Sequence, residues 1–169
     1  MPEDAANRWS LRRATEGDEA CMASMFSDYL GELARHDPEI DATQSFQEDW
    51  LHRSGELFPF WIEVDEAPRG FALLMGRRYA EAIGEEVDWF LHDFYLRPEV
   101  RAQGLADFAV EQLVVRFPGR WGLDCIRRNR RAHAFWERAL GDRTGLVRGV
   151  KAGKYTTFRF LSPEADRGA

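Results

Sequence analysis

A short segment near the middle of the chain has the composition of an anion-binding loop. Residues 101–106 read Arg-Ala-Gln-Gly-Leu-Ala, between an apolar segment that ends at Leu96 and an amphipathic segment from Leu105 to Phe117. This order predicts a strand that leads through a glycine-containing loop into a helix. The first N–H groups of a helix have no acceptor within it, and Gly104 has no Cβ to block a ligand. The segment can therefore bind a phosphate.

The segment is neither of the two most familiar phosphate motifs. The dinucleotide motif needs three glycines in G-x-G-x-x-G, and the P-loop ends in Gly-Lys-Ser/Thr. Here the pattern is Arg-x-x-Gly-x-Ala, and 23 residues after Ala106 a second segment begins at Asn129 and runs to Trp136. Together the two segments resemble the two motifs of the GNAT superfamily, the acyl-CoA-dependent N-acetyltransferases. The resemblance spans roughly residues 9–161. Within the superfamily, the chain resembles a bacterial group of predicted acetyltransferases of unknown substrate.

The resemblance implies acetyl-CoA as the acyl donor and assigns residues to it. The strand before the loop would pair its backbone with the pantetheine amides and donate an N–H to the thioester oxygen. The pyrophosphate would meet backbone N–H groups of the loop, with Arg101 adding positive charge. The second superfamily motif, Asn-x-x-Ala-x-x-Phe-Tyr, adds three positions. The implied donor-binding residues are Phe94, Tyr95, Leu96, Arg101, Gln103, Gly104, Leu105, Ala106, Asn129, Ala132 and Phe135.

Two neighbouring residues, His92 and Asp93, are candidates for the base that deprotonates the acceptor amine. Side chains alternate along a strand, so the sequence predicts that they face opposite ways and that only one can serve. In the superfamily a strand base shares a face with residues at odd offsets before the loop Arg, and His92 stands nine residues before Arg101. We therefore favour His92, which could alternatively be a packed or surface histidine. Asp93 stays open as a structural carboxylate or as the base.

The position of the residue that usually protonates the leaving thiolate departs from the superfamily pattern. Trp136 stands where the superfamily often has Tyr, and an indole N–H has no usable acidity. Either Tyr95 or Tyr155 serves as the acid, or the thiolate, with a thiol pKa of about 8.5, leaves unassisted. Asp107, in the first turn of the loop helix, is expected to face solvent because a carboxylate facing the loop would repel a phosphate.

The remaining pattern predicts an α+β domain with a mixed, mostly antiparallel central sheet flanked by helices. A strand-helix-strand unit through residues 105–117 makes the strands at 87–96 and 120–126 parallel neighbours, which the resemblance expects to splay apart. We expect one domain over 1–169, with frayed tails at 1–7 and 162–169 and a polar connection at 80–86. The other predicted strands are 9–13, 60–64, 70–77, 146–150 and 155–161, and the other predicted helices are 15–34, 45–53 and 129–140.

Charge is divided unevenly along the chain. Residues 1–96 hold 21 acids and 8 bases, whereas residues 97–169 hold 8 acids and 15 bases. The basic half contains both donor motifs, which suits a ligand with three phosphates. If the acidic half builds the acceptor side, the acceptor is expected to be cationic. Cluster 127–131, Arg-Arg-Asn-Arg-Arg, also allows a nucleic-acid interpretation, which the net charge of -6 and the shortness of the cluster disfavour.

Composition sets further expectations about location and cysteines. No apolar stretch is long enough to span a membrane and no basic, apolar leader is present at the start, so we expect a cytoplasmic protein without a membrane partner. Cys21 and Cys125 show no metal-ligand spacing and are expected to be buried free thiols. No metal site is expected.

These observations favour an N-acetyltransferase that moves an acetyl group from acetyl-CoA to a primary amine, on a small molecule or a peptide, by direct attack. A monomer or homodimer is expected, with no nucleic-acid partner. The alternative is a non-catalytic acyl-CoA-binding module, which the Trp136 departure and the uncertain base support. A third hypothesis is an RNA-binding protein that uses the Arg cluster.

Overall fold

One sheet organises the chain in the computed structural model, which describes residues 8–47, 49–52 and 55–163. Within those ranges seven strands lie in the order β1-β2-β3-β4-β5-β7-β6. Only β4 and β5 pair in parallel, and every other neighbouring pair is antiparallel. The predicted fold class and the parallel pair are confirmed. The strands are β1 Trp9–Arg13, β2 Leu57–Val64, β3 Ala67–Gly76, β4 Trp89–Leu96, β5 Gly119–Ile126, β6 Val147–Lys151 and β7 Tyr155–Ser162.

Helices cover both faces of the sheet, and the strands show why. Residues 71–74 of β3 alternate between two cores: Phe71 and Leu73 pack toward α1 and α2, while Ala72 and Leu74 pack toward α4 and α5. All four have no exposed surface. A strand that is apolar on both sides requires cover on both sides. The helices are α1 Glu19–Ala34, α2 Asp49–His52, α3 Arg77–Ala82, α4 Leu105–Arg116 and α5 Arg130–Leu140.

Local sequence explains several helix boundaries. Thr15 and Asp18 form a capping box at the 3-10 turn that leads into α1, with the Thr15 N–H donating to Asp18 Oδ2 at 2.9 Å. Asn129 begins α5, since its Oδ1 accepts from the Ala132 N–H at 3.2 Å. Gly104 precedes α4 with a φ of 89°, a value that favours glycine. These three starts agree with the sequence.

Short helix α3 was not predicted. The sequence placed Arg77 at the end of a strand and residues 80–86 in a polar connection, but Arg77 begins the helix. Only Ala80 of this helix is buried. Because only one of its six residues is buried, the sequence shows no helical periodicity here. The helix is recognised only in the structure, where Ala80 packs into the core. The helix predicted over 45–53 is also shorter, Asp49–His52, and Arg53 lies outside the described residues.

Two further expectations are wrong. Ser162 is not in a frayed tail: it is buried in β7, and its hydroxyl donates to the Val114 carbonyl at 2.6 Å. Cys21 is exposed, because its position on the first turns of α1 points away from the sheet, whereas Cys125 is buried as expected. The predicted tails at 1–7 and 164–169 lie outside the described residues.

Candidate active site

The parallel strands β4 and β5 separate part of the way along their length. They pair at Trp89–Trp121, Phe90–Gly122 and Leu91–Leu123, and the register ends there. Beyond this point, which we call the split, no strand of the described chain pairs with β4 on its β5 side. The backbone amides of β4 after Leu91 can therefore pair with an extended ligand, as a sheet edge does.

A cavity of about 380 Å³ opens beside the C-terminal end of β4. We call it the cleft cavity. It contains eight of the eleven residues that the sequence assigned to the donor, together with residues from α1, the loop before α4, and α5. The lining residues are Tyr29, Glu32, Leu33, Phe94, Tyr95, Leu96, Arg101, Ala102, Ala106, Asn129, Arg131, Ala132, Ala134, Phe135, Trp136 and Arg138.

The contribution of α1 to this cavity was not predicted. Tyr29, Glu32 and Leu33 stand at helical spacings of three and four, so they share one face of α1. That face meets β4 and the loop through Tyr29, whose ring centre lies 5.7 Å from that of Tyr95, and through Glu32, which pairs with Arg101. The helical spacing of these residues can be read from the sequence, but no local pattern indicates what this face of α1 would contact.

The loop before α4 has the backbone of an anion site. Ala102 and Gly104 both have positive φ, 61° and 89°, and the Ala102 conformation is costly for a residue with a Cβ. The first amide bonded within the helix is that of Phe108, which donates to the Gly104 carbonyl at 3.0 Å. The amides of residues 105–107 precede it and carry the positive end of the helix dipole.

Three predicted donor residues are not among those that line the cleft cavity and can act only through their backbone. Gln103 is exposed, and its side-chain amide donates to the Glu99 carbonyl at 3.2 Å. Leu105 is 1% exposed and belongs to the core. Gly104 has no side chain. Asp107, one residue beyond the predicted set, has a side chain 53% exposed, as expected.

Arg101 is bound by protein groups on both sides. Its two terminal nitrogens donate to the two carboxylate oxygens of Glu32 at 2.7 and 2.6 Å, and Nε donates to the Leu96 carbonyl at 2.9 Å. Its guanidinium carbon also lies 5.5 Å from the centre of the Tyr95 ring. The side chain thus links α1, the end of β4 and the loop, and much of its charge is balanced by Glu32.

Aromatic side chains form the wall opposite the loop. Phe135 of α5 stacks on Phe94 of β4, with ring centres 6.3 Å apart and planes 13° apart. Trp136 contacts both rings edge-on, at 5.3 Å from Phe94 and 4.9 Å from Phe135. Trp136, at the position of the usual Tyr, therefore packs the wall and lines the cleft cavity at the same time.

His92 and Asp93 do not face opposite ways, so that prediction is wrong. Asp93 lies opposite Leu73 and Leu91 lies opposite Leu74, which leaves His92 as the extra residue of a β-bulge. The bulge interrupts the alternation and brings the two side chains together, with His92 Nδ1 and Asp93 Oδ2 2.6 Å apart. Asp93 is buried, whereas the His92 side chain is 42% exposed.

The pair lies directly at the split, because His92 follows Leu91, the last β4 residue that pairs with β5. Neither residue is among those lining the cleft cavity. Burial lowers the pKa of His92, but the charge of Asp93 and its hydrogen bond outweigh burial, so the pKa is raised. Burial and the nearby Asp93 carboxylate raise the pKa of Tyr29 well above its usual value. Asp93 is thus near both the histidine and a cavity-lining tyrosine.

Four charged side chains beside the split form a network that the sequence did not reveal. Arg159 donates to Glu85 at 2.5 Å and to Asp124 at 3.2 Å. Lys151 donates to the same two carboxylates, at 3.0 and 3.3 Å. Asp124 is the first β5 residue after the split, and its charge contributes to the raised pKa of His92. The residues come from four separate segments, so no local motif contains them.

Two other properties of the described residues bear on the class of protein. No group of three or more His, Cys, Asp and Glu side chains in ranges 8–47, 49–52 and 55–163 could hold a metal ion. Over the same ranges, no helix has the length and apolar character needed to cross a bilayer.

A mostly antiparallel sheet whose one parallel pair splits beside the start of a glycine-preceded helix is the architecture of the acyl-CoA N-acyltransferase fold. The chain belongs to the acetyltransferase (GNAT) family, whose model matches residues 21–142. Acetyl-CoA is the acyl donor of that family. No curated protein sequence matches the chain.

Solved structures share this fold at low sequence identity. An acetyltransferase from Thermus thermophilus is 16% identical with a TM-score of 0.63, over 90% of this chain and 96% of that one. RimL, a ribosomal L7/L12 α-N-protein acetyltransferase solved with coenzyme A, is 13% identical with a TM-score of 0.63, over 96% and 98%. PaiA N-acetyltransferase from Thermoplasma acidophilum, also with coenzyme A, is 12% identical with a TM-score of 0.62, over 90% and 98%. At these identities the similarity concerns the fold.

Proposed function

We propose that this protein transfers an acetyl group from acetyl-CoA to a primary amine by direct attack of the amine on the thioester. One observation carries the proposal. The cleft cavity joins the free edge of β4 to the start of α4, and a hydrogen-bonded His-Asp pair stands where β4 and β5 separate. A long donor with a phosphate group at one end and a reactive carbonyl at the other suits this arrangement.

The donor is bound mainly by backbone groups. The amides of residues 103–106 hold the pyrophosphate, because they surround the start of α4 and lack helical acceptors. The pantetheine arm lies along residues 94–96 of β4, with Ala132 and Phe135 of α5 on its other side. Arg101 adds positive potential while Glu32 fixes its position. Asn129 holds the first turn of α5 in place.

Proton removal from the amine is assigned to His92. Its Nδ1–H donates to Asp93, which leaves the Nε2 lone pair to accept the proton. Asp93 thus fixes the tautomer and stabilises the imidazolium that forms, so the two candidates become one unit. A raised His92 pKa also improves proton transfer from an amine whose ordinary pKa is near 10.4. An N–H of β4 stabilises the oxyanion.

Tyr95 is assigned to protonate the leaving thiolate. Of the two tyrosines that the sequence offered, Tyr95 is among the residues lining the cleft cavity and Tyr155 is not. Burial raises the pKa of Tyr95, so its hydroxyl remains protonated at neutral pH and can donate. A thiol pKa of about 8.5 makes this assistance modest, because the thiolate is already an acceptable leaving group.

Charge division along the chain predicts a cationic acceptor, and this stays a prediction. In the structure many carboxylates of the acidic half are already paired with Arg or Lys. Glu32 pairs with Arg101, Asp37 with Lys154, and Glu85 with Lys151 and Arg159, all of them bases of the other half. Paired carboxylates contribute little to attraction at a distance, so net charge alone does not select the acceptor.

The alternative of a non-catalytic acyl-CoA-binding module rests on Trp136 at the position of the usual acid. The test begins with calorimetry of coenzyme A, for which we expect micromolar binding. Gly104→Glu places bulk and negative charge at the phosphate site and should abolish binding. Gly84→Glu is the matched control, since Gly84 also has positive φ, 83°, but no neighbour within 4 Å. Equal losses in both variants, or no binding to the natural protein, would contradict the donor site.

Mass spectrometry of a panel of amines and peptides incubated with acetyl-CoA then separates enzyme from module. Acetylated product that forms with the natural protein and falls by 10² or more with His92→Ala supports the proposal. Coenzyme A binding without acetylation of any amine would favour the module. Binding to nucleic acid that weakens steeply with salt, without coenzyme A binding, would favour the RNA-binding hypothesis.

A further inference from the structure

A second and larger cavity, of about 700 Å³, lies beside the segment that joins β5 to α5. We call it the arginine cavity. Three parts of the fold enclose it: the turn after α1, the 127–130 segment, and the turn between β6 and β7. Its lining residues are His36, Asp37, Pro38, Glu39, Ile126, Arg127, Arg128, Arg130, Gly153 and Lys154.

The cationic side chains of this cavity differ in whether a carboxylate pairs with them. Lys154 is neutralised, since it donates to Asp37 at 3.0 Å and to Glu39 at 2.5 Å. Arg127, Arg128 and Arg130 are exposed, and no side chain of the described residues forms an ion pair or hydrogen bond with their guanidinium groups. The cavity therefore presents three guanidinium groups without an ion-paired carboxylate, of which Arg128 also acts at longer range on the Asp37 carboxylate.

The 127–131 segment separates this cavity from the donor cavity. Arg128 and Arg130 line the arginine cavity, whereas Asn129 and Arg131 line the cleft cavity. A single short segment thus has two faces, one toward each space. The Arg cluster that suggested nucleic acid in the sequence is divided between two concave sites.

The arginine cavity is also close to the reacting end of the cleft. Ile126, in its wall, is opposite Tyr155 in the β5–β7 ladder. Asp124, the first β5 residue after the split, stands two residues before Ile126 on the same strand, a distance of about 7 Å. A molecule in the arginine cavity can therefore extend along β5 toward the His92–Asp93 pair at the split.

We propose that the arginine cavity binds an anionic group, carboxylate or phosphate, of the acceptor, so that the acceptor is an amine that also carries a negative charge. Guanidinium groups bind these anions with paired hydrogen bonds. The donor has separate groups for its pyrophosphate, namely the start of α4, with Arg131 and Arg138 on its own side of the segment. This inference rests on the proposed function, and it replaces a preference for cationic acceptors with one for acceptors of mixed charge.

The test compares acceptors that differ only in the anionic group. O-phosphoethanolamine is paired with ethanolamine, and L-phenylalanine with phenethylamine, each at saturating acetyl-CoA. We expect kcat/KM to be at least about tenfold higher for the anionic member of each pair, because hydrogen bonds to charged groups contribute that much or more. Robust turnover of the neutral-tailed amines, without any gain from the anionic group, would overturn the proposal.

Substitutions in the arginine cavity test whether the anionic group of the acceptor binds there. Arg127→Gln/Arg128→Gln should raise KM for the anionic acceptor about tenfold and leave KM for acetyl-CoA within twofold. Arg148→Gln is the matched control, an exposed arginine of β6 that pairs with Glu137 outside both cavities. A rise in KM for acetyl-CoA instead would assign the arginines to a phosphate of the donor and overturn the proposal.

Binding measured without turnover keeps this inference distinct from the proposed function. Calorimetry of O-phosphoethanolamine into protein saturated with coenzyme A should show binding that the double variant loses and the Arg148 control retains. Such binding without any acetylation would support the cavity and refute the catalytic proposal. Acetylation of amines irrespective of their charge, with no binding of O-phosphoethanolamine, would support the catalytic proposal and refute the anion site in the arginine cavity.

Discussion

The ion pair between Glu32 and Arg101 fixes α1 to the loop before α4, and its contribution to stability can be measured directly. Both oxygens of the carboxylate accept hydrogen bonds, at 2.7 and 2.6 Å. The side chains are only 25% and 19% exposed, so solvent screens the pair weakly. Exposed pairs contribute about 1 kcal/mol or less, and removing one partner of a fully buried pair costs about 3–5 kcal/mol. We expect Glu32→Gln to cost about 2 kcal/mol, between these limits.

The expected change is large enough for routine unfolding measurements. For a domain of this size, about 2 kcal/mol lowers Tm by roughly 4–8 °C and moves the urea midpoint by roughly 1 M. Urea unfolding followed by tryptophan fluorescence should be compared for Glu32→Gln, Arg101→Gln and the double variant. If the pair acts as a unit, the double variant should be little worse than either single variant.

A neighbouring pair on the same helix provides the control. Asp28 accepts from Arg97 at 3.3 Å, with side chains 51% and 31% exposed, so Asp28→Asn should cost less than about 1 kcal/mol. Equal destabilisation by Asp28→Asn and Glu32→Gln, or a coupling energy between Glu32 and Arg101 below about 0.5 kcal/mol, would refute the reasoning. Coenzyme A should bind more weakly to Arg101→Gln than to Glu32→Gln, because only the latter keeps the guanidinium.

Three further predictions follow from pKa shifts and capping. The raised pKa of His92 predicts that kcat/KM increases with pH through an apparent value above about 6.5, since the base must be neutral. Asp93→Asn removes the main charge that raises this pKa, while burial and the smaller effect of Asp124 remain, so the rise should move to lower pH. An unmoved profile would exclude His92 as the titrating group. Burial raises the pKa of Cys125 to about 11, so Ellman's reagent at pH 8 should modify exposed Cys21 alone, and both thiols in urea; two fast thiols in the folded protein would contradict the packing. Asn129→Ala removes the cap of α5 and should cost about 1 kcal/mol in urea unfolding, whereas Asn129→Ser should restore most of it.

Local patterns were sufficient for most of the fold and for many of the residues that line the cleft cavity. The order of strands and helices, the caps at Thr15 and Asn129, and the glycine-containing loop each depend on a few adjacent residues. Eight of the eleven predicted donor residues line the cleft cavity because a strand, a loop and a helix start place them from both motifs. The helical spacing of apolar residues in α5 likewise predicted which of its side chains face the cleft cavity.

The surroundings of His92 depended on contacts between distant segments. Alternation in the sequence predicted that His92 and Asp93 face apart. They meet at a bulge, where the pairing of β4 with β3 shifts register between Leu73 and Leu74. The Glu32–Arg101 pair spans 69 residues, and the Glu85 network combines four segments. The charge count of the acidic half likewise did not reveal which carboxylates were already paired. Register and pairing are set by packing across the whole sheet. That is why the sequence alone determined the glycine-containing loop before α4, whereas only the tertiary structure brought together the His92–Asp93 pair, the charges around it and the arginine cavity.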